Sequence, residues 1–530
     1  MSLPSLATLP AALSPLAERA LNDIELALSE LGESLAGWPE WRRDQLTRVL
    51  AQSDFAVEQI KRDPAMFAAL LASGELERAL APGELRTQLA ALVAECADED
   101  ALSKCLRRYR NRQQLRIIWR DFTRQTDLWG TCRDLSDLAD ASIDLALGWL
   151  HPRLCEQFGT PTGRRSGLPQ QLVVLGMGKL GAFELNLSSD IDLIFAYPEG
   201  GETEGVKRSL DNQEFFTRLG QKLIKALDAI TVDGFVFRTD MRLRPYGAGG
   251  PLVYSFNAME QYYQDQGRDW ERYAMIKARV VAGDQQAGKQ LQEMLRPFVY
   301  RRYLDFSAIE AMRSMKQLIQ QEVRRKGMSE NIKLGSGGIR EVEFIAQVFQ
   351  LIHGGRDLAL QERSLMRVLG TLRDQGYMPA KAVDELVESY HFLRYTEHAL
   401  QGIDDRQTQM LPDGEQDRLR VAAIMGFADW EAFYHALGER RRRVEYHFRQ
   451  VIADPDEEEG ADAVCIGGEW LPLWEEALEP EAAHRQLSEA GFADAEVALR
   501  RILDLKHGPQ VRAMQRMGRE RLDAFMPRFL

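Results

Sequence analysis

Cysteine is scarce in this chain. Only five occur in 530 residues, at Cys96, Cys105, Cys132, Cys155 and Cys465. They are scattered, odd in number and never grouped as C-x-x-C or with histidine, which excludes a disulfide framework or a structural zinc as an organising device. An excess of basic charge is also missing. Lys and Arg total 67 against 80 Asp and Glu, for a formal charge of −13, so sequence-independent nucleic-acid binding is not the main task. No window approaches the roughly 18 apolar residues of a membrane helix. The first residues lack the basic and then apolar pattern of a secretion signal. These absences point to a reduced, cytoplasmic protein with no membrane and no nucleic-acid partner. What is present, 45% hydrophobic and 28% charged residues, suits an ordinary globular chain. Its length allows about three or four domains with sizeable cores.

Residues up to about 160 read as helical. Leu21, Ile24, Leu28 and Leu31 recur at helical spacing, and Ser53 precedes a short amphipathic stretch that ends before Pro64. The stretch "LRRYRNRQQLRIIWRDF" (Leu106 to Phe122) is helical and basic, either a solvated or ion-paired face or a docking face for an acidic partner. "GTPTGRRSGLPQ" (Gly159 to Gln170) has the composition of a boundary loop. Beyond it, short apolar runs surround one strong helix, about Asn212 to Ala229, which starts with a capping box of Asp211 and Glu214. Helical patterning returns from about Ser307 to Ile452. "ADPDEEEGADA" (Ala453 to Ala463) has the charge of an acidic linker, and the remainder is again helical. The expected division is therefore 1–160 helical, 161–305 a mixed core, 306–452 a helical domain packing on that core, 453–463 linker, and 464–530 the start of a further, truncated helical region.

The most informative stretch is "LVVLGMGKLGAFELNLSSDIDLIF", Leu172 to Phe195. Gly176, Gly178 and Gly181 spell G-x-G-x-x-G after a strand-like run, the opening of a dinucleotide fold. That fold then needs a long crossover helix and an acid at the end of the next strand. Here eight residues separate Gly181 from Asp190, and the acids stand at the start of the second apolar run. Both features disfavour NAD or FAD. On an extended strand Asp190 and Asp192 project to one side while Ile191, Leu193 and Phe195 face the other. Two adjacent carboxylates repel unless a cation sits between them, which makes the pair a seat for a hard divalent ion. "GFVFRTDMRLRP" (Gly234 to Pro245) reads as a second alternating strand, with Arg238, Asp240, Arg242 and Arg244 on one face. Asp240 would complete a three-carboxylate metal site, and guanidinium groups suit phosphate. The glycine turn then becomes a phosphate cradle at a helix start. The Walker pattern is absent.

These features together resemble the polymerase-β-type nucleotidyltransferase fold. "LGMGKLGAFELNLSSDIDLIF", "DGFVFRTDMRLRPYGAGGPLV", "QGRDWERYAMIKAR" and "KLGSGGIREVEFIAQ" more closely resemble the N-terminal, adenylyl-removing half of the bifunctional glutamine synthetase adenylyltransferase/adenylyl-removing family. The resemblance implies an α+β, predominantly helical chain whose nucleotidyltransferase core, a small mixed sheet with helices, is flanked by helical bundles. It implies phosphorolysis, in which phosphate attacks the AMP phosphorus on an adenylylated tyrosine of glutamine synthetase, the tyrosyl oxygen leaves and ADP forms. Direction rests on the resemblance alone; adenylylation from ATP, or a regulatory module with a decayed catalytic unit, are the alternatives. Asp190, Asp192 and Asp240 would be catalytic and would bind Mg²⁺ or Mn²⁺, with no organic cofactor. Gly176, Gly178, Lys179, Ser189, Arg238, Arg242 and Arg244 would hold phosphate oxygens, and Ser188 would serve the turn. Lys333, Gly338, Arg340 and Glu341 would contribute from the second glycine loop, where a helix begins near Ile339; Glu343 would support Arg340 or the metal. Arg394, His398 and Gln401 read as packing and helix-surface residues. A PII-type signal protein is the implied regulatory partner. A longer gene product is expected to continue with a second G-x-G-K…D-x-D block.

Overall fold

The structure is a computed structural model that describes residues 9–301, 330–452, 470–492 and 494–512, with positions 6, 328, 519, 522–523 and 526–527 besides. The expected acidic linker, and the expected start of a helix near Ser307, lie outside the described residues. Two compact units result, Met1–Val451 and Ile452–Leu530.

The first unit is mostly helical around one small sheet, as expected. Its N-terminal helices follow their capping chemistry. The Ser53 hydroxyl accepts from the Ala56 amide at 3.2 Å and starts helix Asp54–Arg62. Asp63 accepts from the Met66 amide and starts Pro64–Ala72. Leu46, Val49, Ile60, Phe67 and Trp119 close a core among these helices.

The long helix Glu99–Phe122 contains the basic stretch. Arg108 stays exposed, but most of the helix's arginines point inward, several of them ion-paired as one reading had it, though buried rather than solvated. Arg107, Arg110, Arg116 and Arg120 are buried. Arg107 donates to the carbonyls of Ala226, Ala229 and Gly234, and Arg120 to that of Leu76. Arg110 pairs with Asp405 at 2.7 Å and Arg116 with Asp134 at 2.6 Å. Each guanidinium is desolvated but met by oxygen, the condition under which buried charge is tolerated. The helix is thus a strut between parts of the unit.

The sheet is built on β3 (Ile191–Tyr197). On one side runs antiparallel β2 (Val173–Gly176), with β7 (Arg279–Gly283) antiparallel beyond it. On the other side β5 (Thr239–Asp240) and β6 (Val253–Ser255) both pair with β3 in parallel. Leu193, Ile194, Phe195 and Ala196 are all buried, so β3 is covered on both faces beyond its first turn of alternation. The supposed boundary loop holds β1 (Thr160–Gly163), which forms a separate ribbon with β4 (Gly201–Glu204). Helix Asn212–Asp228 starts where expected, but its cap is Asp211 alone, accepting from Gln213; Glu214 pairs with Arg218 instead.

The second unit, described by itself, is a small helical cluster. Helices Pro480–Glu489 and Ala495–Lys506 pack around Trp470, Leu473, Trp474 and Leu487.

Candidate active site

β2 ends at Gly176 and the chain turns at once into a single helical turn, Gly178–Gly181. Two glycines are required here. Gly178 has φ +53°, and a Cβ there would stand 3.5 Å from the Asp192 carboxylate. A Cβ on Gly181 would lie 1.8 Å from the Lys277 carbonyl oxygen, so nothing larger fits. The Met177 amide donates to the Asp192 carbonyl at 2.9 Å and ties the turn to the start of β3.

Asp192 is the register partner of Asp240 across the parallel β3–β5 pair, so the two side chains share a face, with Asp190 two residues earlier on it. Burial, then the charges of Asp190 and Asp240, push the Asp192 carboxyl up to about 7. Burial and like-charged neighbours act in the same direction here, each disfavouring the carboxylate. Asp240 is held below the usual carboxylate range, chiefly by hydrogen bonds from Arg242, whose Nε and Nη2 reach Oδ2 at 2.8 and 2.5 Å. Among the described residues no group of three His, Cys, Asp or Glu is gathered closely enough to hold a metal ion as it stands. The donor chemistry nevertheless fits a hard cation: the Asp190 and Asp192 carboxylates make no hydrogen bond or ion pair among the described residues, and the Asp240 carboxylate is held there by Arg242 alone.

A cavity of about 300 Å³ opens in front of these acids, lined by Gly178, Ser189, Asp190, Asp192, Lys333 and Arg340 among others. Lys333 and Arg340 have no ion-pair partner among the described residues, so two cations and two carboxylates face one space unpaired.

Other expected phosphate ligands are elsewhere. The Lys179 ammonium lies against the cavity but is spent on Glu343 at 3.0 Å. Glu343 also stands 3.7 Å from Lys277, which bonds Glu184 at 2.9 Å, and accepts from Tyr390 at 3.2 Å. Burial opposes charge on Glu343, yet Lys179, Lys277 and Arg394 hold it well below the carboxylate range. Lys179 is lowered, by burial first.

The arginines of the second stretch do not form a phosphate clamp. The strand stops after Thr239–Asp240, because the Asp240 carboxylate accepts from the Arg242 amide at 2.8 Å and turns the backbone. Arg238 instead donates to Ser188, 2.6 Å to its hydroxyl. Arg244 binds the carbonyls of Met241 and Pro251. Glu341 accepts from the Gly337 amide at 2.9 Å, closing its own loop, and Gly338 caps helix Ile339–His353. Neither lines the cavity; Gly176 does not either.

Arg394, His398 and Gln401 are core rather than surface residues. Arg394 donates to the Glu184 carbonyl at 2.7 Å and to the Asn186 side chain, and Gln401 accepts from the Ser188 amide at 2.9 Å. They brace the segment that delivers Ser189 and Asp190. His398 meets Asp121 at 3.2 Å.

Sequence reasoning missed Trp270, Tyr273, Lys277 and Gln347, which also line the cavity. The first three lie in "QGRDWERYAMIKAR" and Gln347 ends "KLGSGGIREVEFIAQ"; both stretches carried the family resemblance, so the signal was there without a role attached.

Residues 43–294 match the family model of glutamate–ammonia ligase adenylyltransferase, and residues 313–452 match that of GlnD PII-uridylyltransferase. The chain is 72% identical over its whole length to a bifunctional glutamine synthetase adenylyltransferase/adenylyl-removing enzyme of Pseudomonas aeruginosa, covering 55% of that protein. The corresponding enzyme of Pseudomonas putida is 69% identical, with 100% of this chain and 54% of the relative covered. That of Thioalkalivibrio sulfidiphilus is 49% identical, with 99% and 54% covered. The chain spans about half the length of the curated relatives it matches. The mixed sheet, its paired acids and the glycine turn all lie within residues 43–294, the part of the chain that matches the glutamate–ammonia ligase adenylyltransferase family.

Proposed function

We propose that this chain removes AMP from an adenylylated tyrosine of glutamine synthetase by phosphorolysis, in the cytoplasm, as part of the control of nitrogen assimilation. The observation that carries the reading is the meeting of unpaired acids, Asp190 and Asp192, with unpaired cations, Lys333 and Arg340, in one cavity. The relatives' printed name covers both adenylylation and its removal. The details "ELNLSSDIDL", "MRLRP" and "GGIRE" resemble the removing copy of the family, and that resemblance supports the removing direction.

Asp190, Asp192 and Asp240 would hold Mg²⁺ or Mn²⁺, Asp240 after leaving Arg242. Such an ion, when bound, neutralises the transferring phosphoryl group. Lys333 and Arg340 bind phosphate oxygens, and Ser189 with the Gly178 backbone orients the AMP phosphorus. An oxygen of inorganic phosphate forms the new bond to that phosphorus while the bond to the tyrosine oxygen breaks. ADP and the tyrosine side chain result, and the phenolate takes its proton from solvent. Phosphate is already anionic at neutral pH and tyrosine leaves with a pKa near 10, so no general base is required. Lys179 acts from below the turn, through Glu343, without touching phosphate. We assign residues 1–160, 161–305 and 306–452 to helical, catalytic and helical parts. A PII-type signal protein is the proposed regulatory partner, consistent with the PII-uridylyltransferase-type match.

The test is to incubate the chain with AMP-modified glutamine synthetase, phosphate and Mg²⁺. ADP should form only when phosphate is present. Transfer of AMP from ATP to the unmodified protein, with no ADP from the modified one, would reverse the direction.

A further inference from the structure

The catalytic reading leaves one side of the cavity without a task. Trp270 lies there on the short helix Asp269–Met275, 38% exposed. Its ring pairs with no aromatic or cationic group among the described residues, although exposing an indole to water is costly. Tyr273, three residues on, shares its helix face and also lines the cavity, as does the apolar side chain of Leu243. Gln347 faces the same space from helix Ile339–His353 and is only 4% exposed. Its Nε2 donates to the Tyr273 carbonyl at 3.2 Å. A carbonyl can only accept, so that bond fixes which end of the amide is nitrogen. Oε1 is left as an acceptor with no hydrogen-bond partner among the described residues.

We propose that Trp270 and Gln347 form a purine subsite selective for adenine. The indole face stacks on the base, and Gln347 Oε1 accepts from the exocyclic amine. A 6-oxo purine would set its own acceptor against Oε1 and leave both groups unmatched. The subsite rests on the reading that this cavity takes the adenylyl nucleotide, and adds which residues recognise its base.

The experiment is calorimetric titration of the 530-residue chain with ADP, IDP and inorganic pyrophosphate, each with Mg²⁺. The wild-type chain should prefer ADP to IDP about ten-fold. Trp270→Ala should weaken both nucleotides about ten-fold or more and leave pyrophosphate unchanged, and Trp270→Phe should restore most of the loss. Gln347→Leu should erase the ADP preference while pyrophosphate still binds, which shows that the variant is folded. The proposal is overturned if Trp270→Ala binds ADP as the wild type does, if pyrophosphate weakens equally, if Gln347→Leu keeps the preference, or if the wild-type chain binds no ADP. An effect of Trp270→Ala on the modified protein but not on ADP would place the ring against the tyrosine and also overturn it. Phosphorolysis is scored separately: the expected nucleotide pattern without phosphate-dependent ADP formation would retain the subsite and discard the phosphorolytic reading.

Discussion

Two sets of charged side chains meet at the Gly176–Gly181 turn and differ in every respect that matters energetically. Lys179, Lys277, Glu184 and Glu343 are sequestered and matched, each ammonium with a carboxylate within 3.0 Å. Asp190, Asp192, Lys333 and Arg340 line the cavity unmatched, and burial, then the neighbouring acids, pushes Asp192 up to about 7. A matched buried network gives a unique arrangement and nothing to bind; an unmatched set stores repulsion that a ligand relieves. The first set therefore reads as the mount and the second as the working surface.

Breaking the working surface should have the largest effect. Asp192→Asn is expected to lower phosphorolysis by about a thousand-fold or more, roughly 4 kcal/mol in the barrier, measured as ADP release, with the far-ultraviolet circular dichroism unchanged. Breaking the mount should instead cost stability. Glu343→Gln leaves Lys179 desolvated without its carboxylate and should destabilise the folded state by about 3–5 kcal/mol, read by urea unfolding.

A pH series sharpens the same contrast at a second matched pair. Burial alone would lower the His398 imidazolium, but Asp121 raises it to about 9. An unfolded histidine titrates near 6.5. The pair's stabilisation should be complete below about pH 6.5 and disappear as the pH rises to about 9, a loss of about 3 kcal/mol, followed as the urea midpoint against pH. The smallest effect belongs to Arg242, whose side chain is 78% exposed. Arg242→Ala should change stability by no more than about 0.5 kcal/mol while loosening Asp240, so Mn²⁺ affinity, measured by titration, should rise rather than fall.

The placing of Asp190 beside Asp192 was legible in the sequence, because its logic is local. Alternation on β3 sets Asp190 beside Asp192, and an acid on a later strand is a natural third. The mount was not legible. Glu343 lies 164 residues from Lys179, and no spacing announces a partner at that distance, so a lysine in a glycine turn read as a phosphate ligand. Arg238, Arg242 and Arg244 misled for a related reason. Their partners are a serine, an adjacent carboxylate and turn carbonyls, and the strand that would have aligned them ends after two residues. The helix Glu99–Phe122 was readable as helical and basic, but backbone carbonyl oxygens accept from Arg107 and Arg120, and backbone acceptors leave no mark on composition.

The opposition between mount and working surface is tested most directly by the thermal midpoint of Asp192→Asn with and without Mg²⁺. Removing a carboxylate from a repelling cluster should leave the midpoint equal to or above that of the wild type without metal. The Mg²⁺-dependent rise expected of the wild type should vanish. A variant that melts lower without metal, or gains as much from Mg²⁺ as the wild type, would show that Asp192 is part of the mount and not of a cation seat.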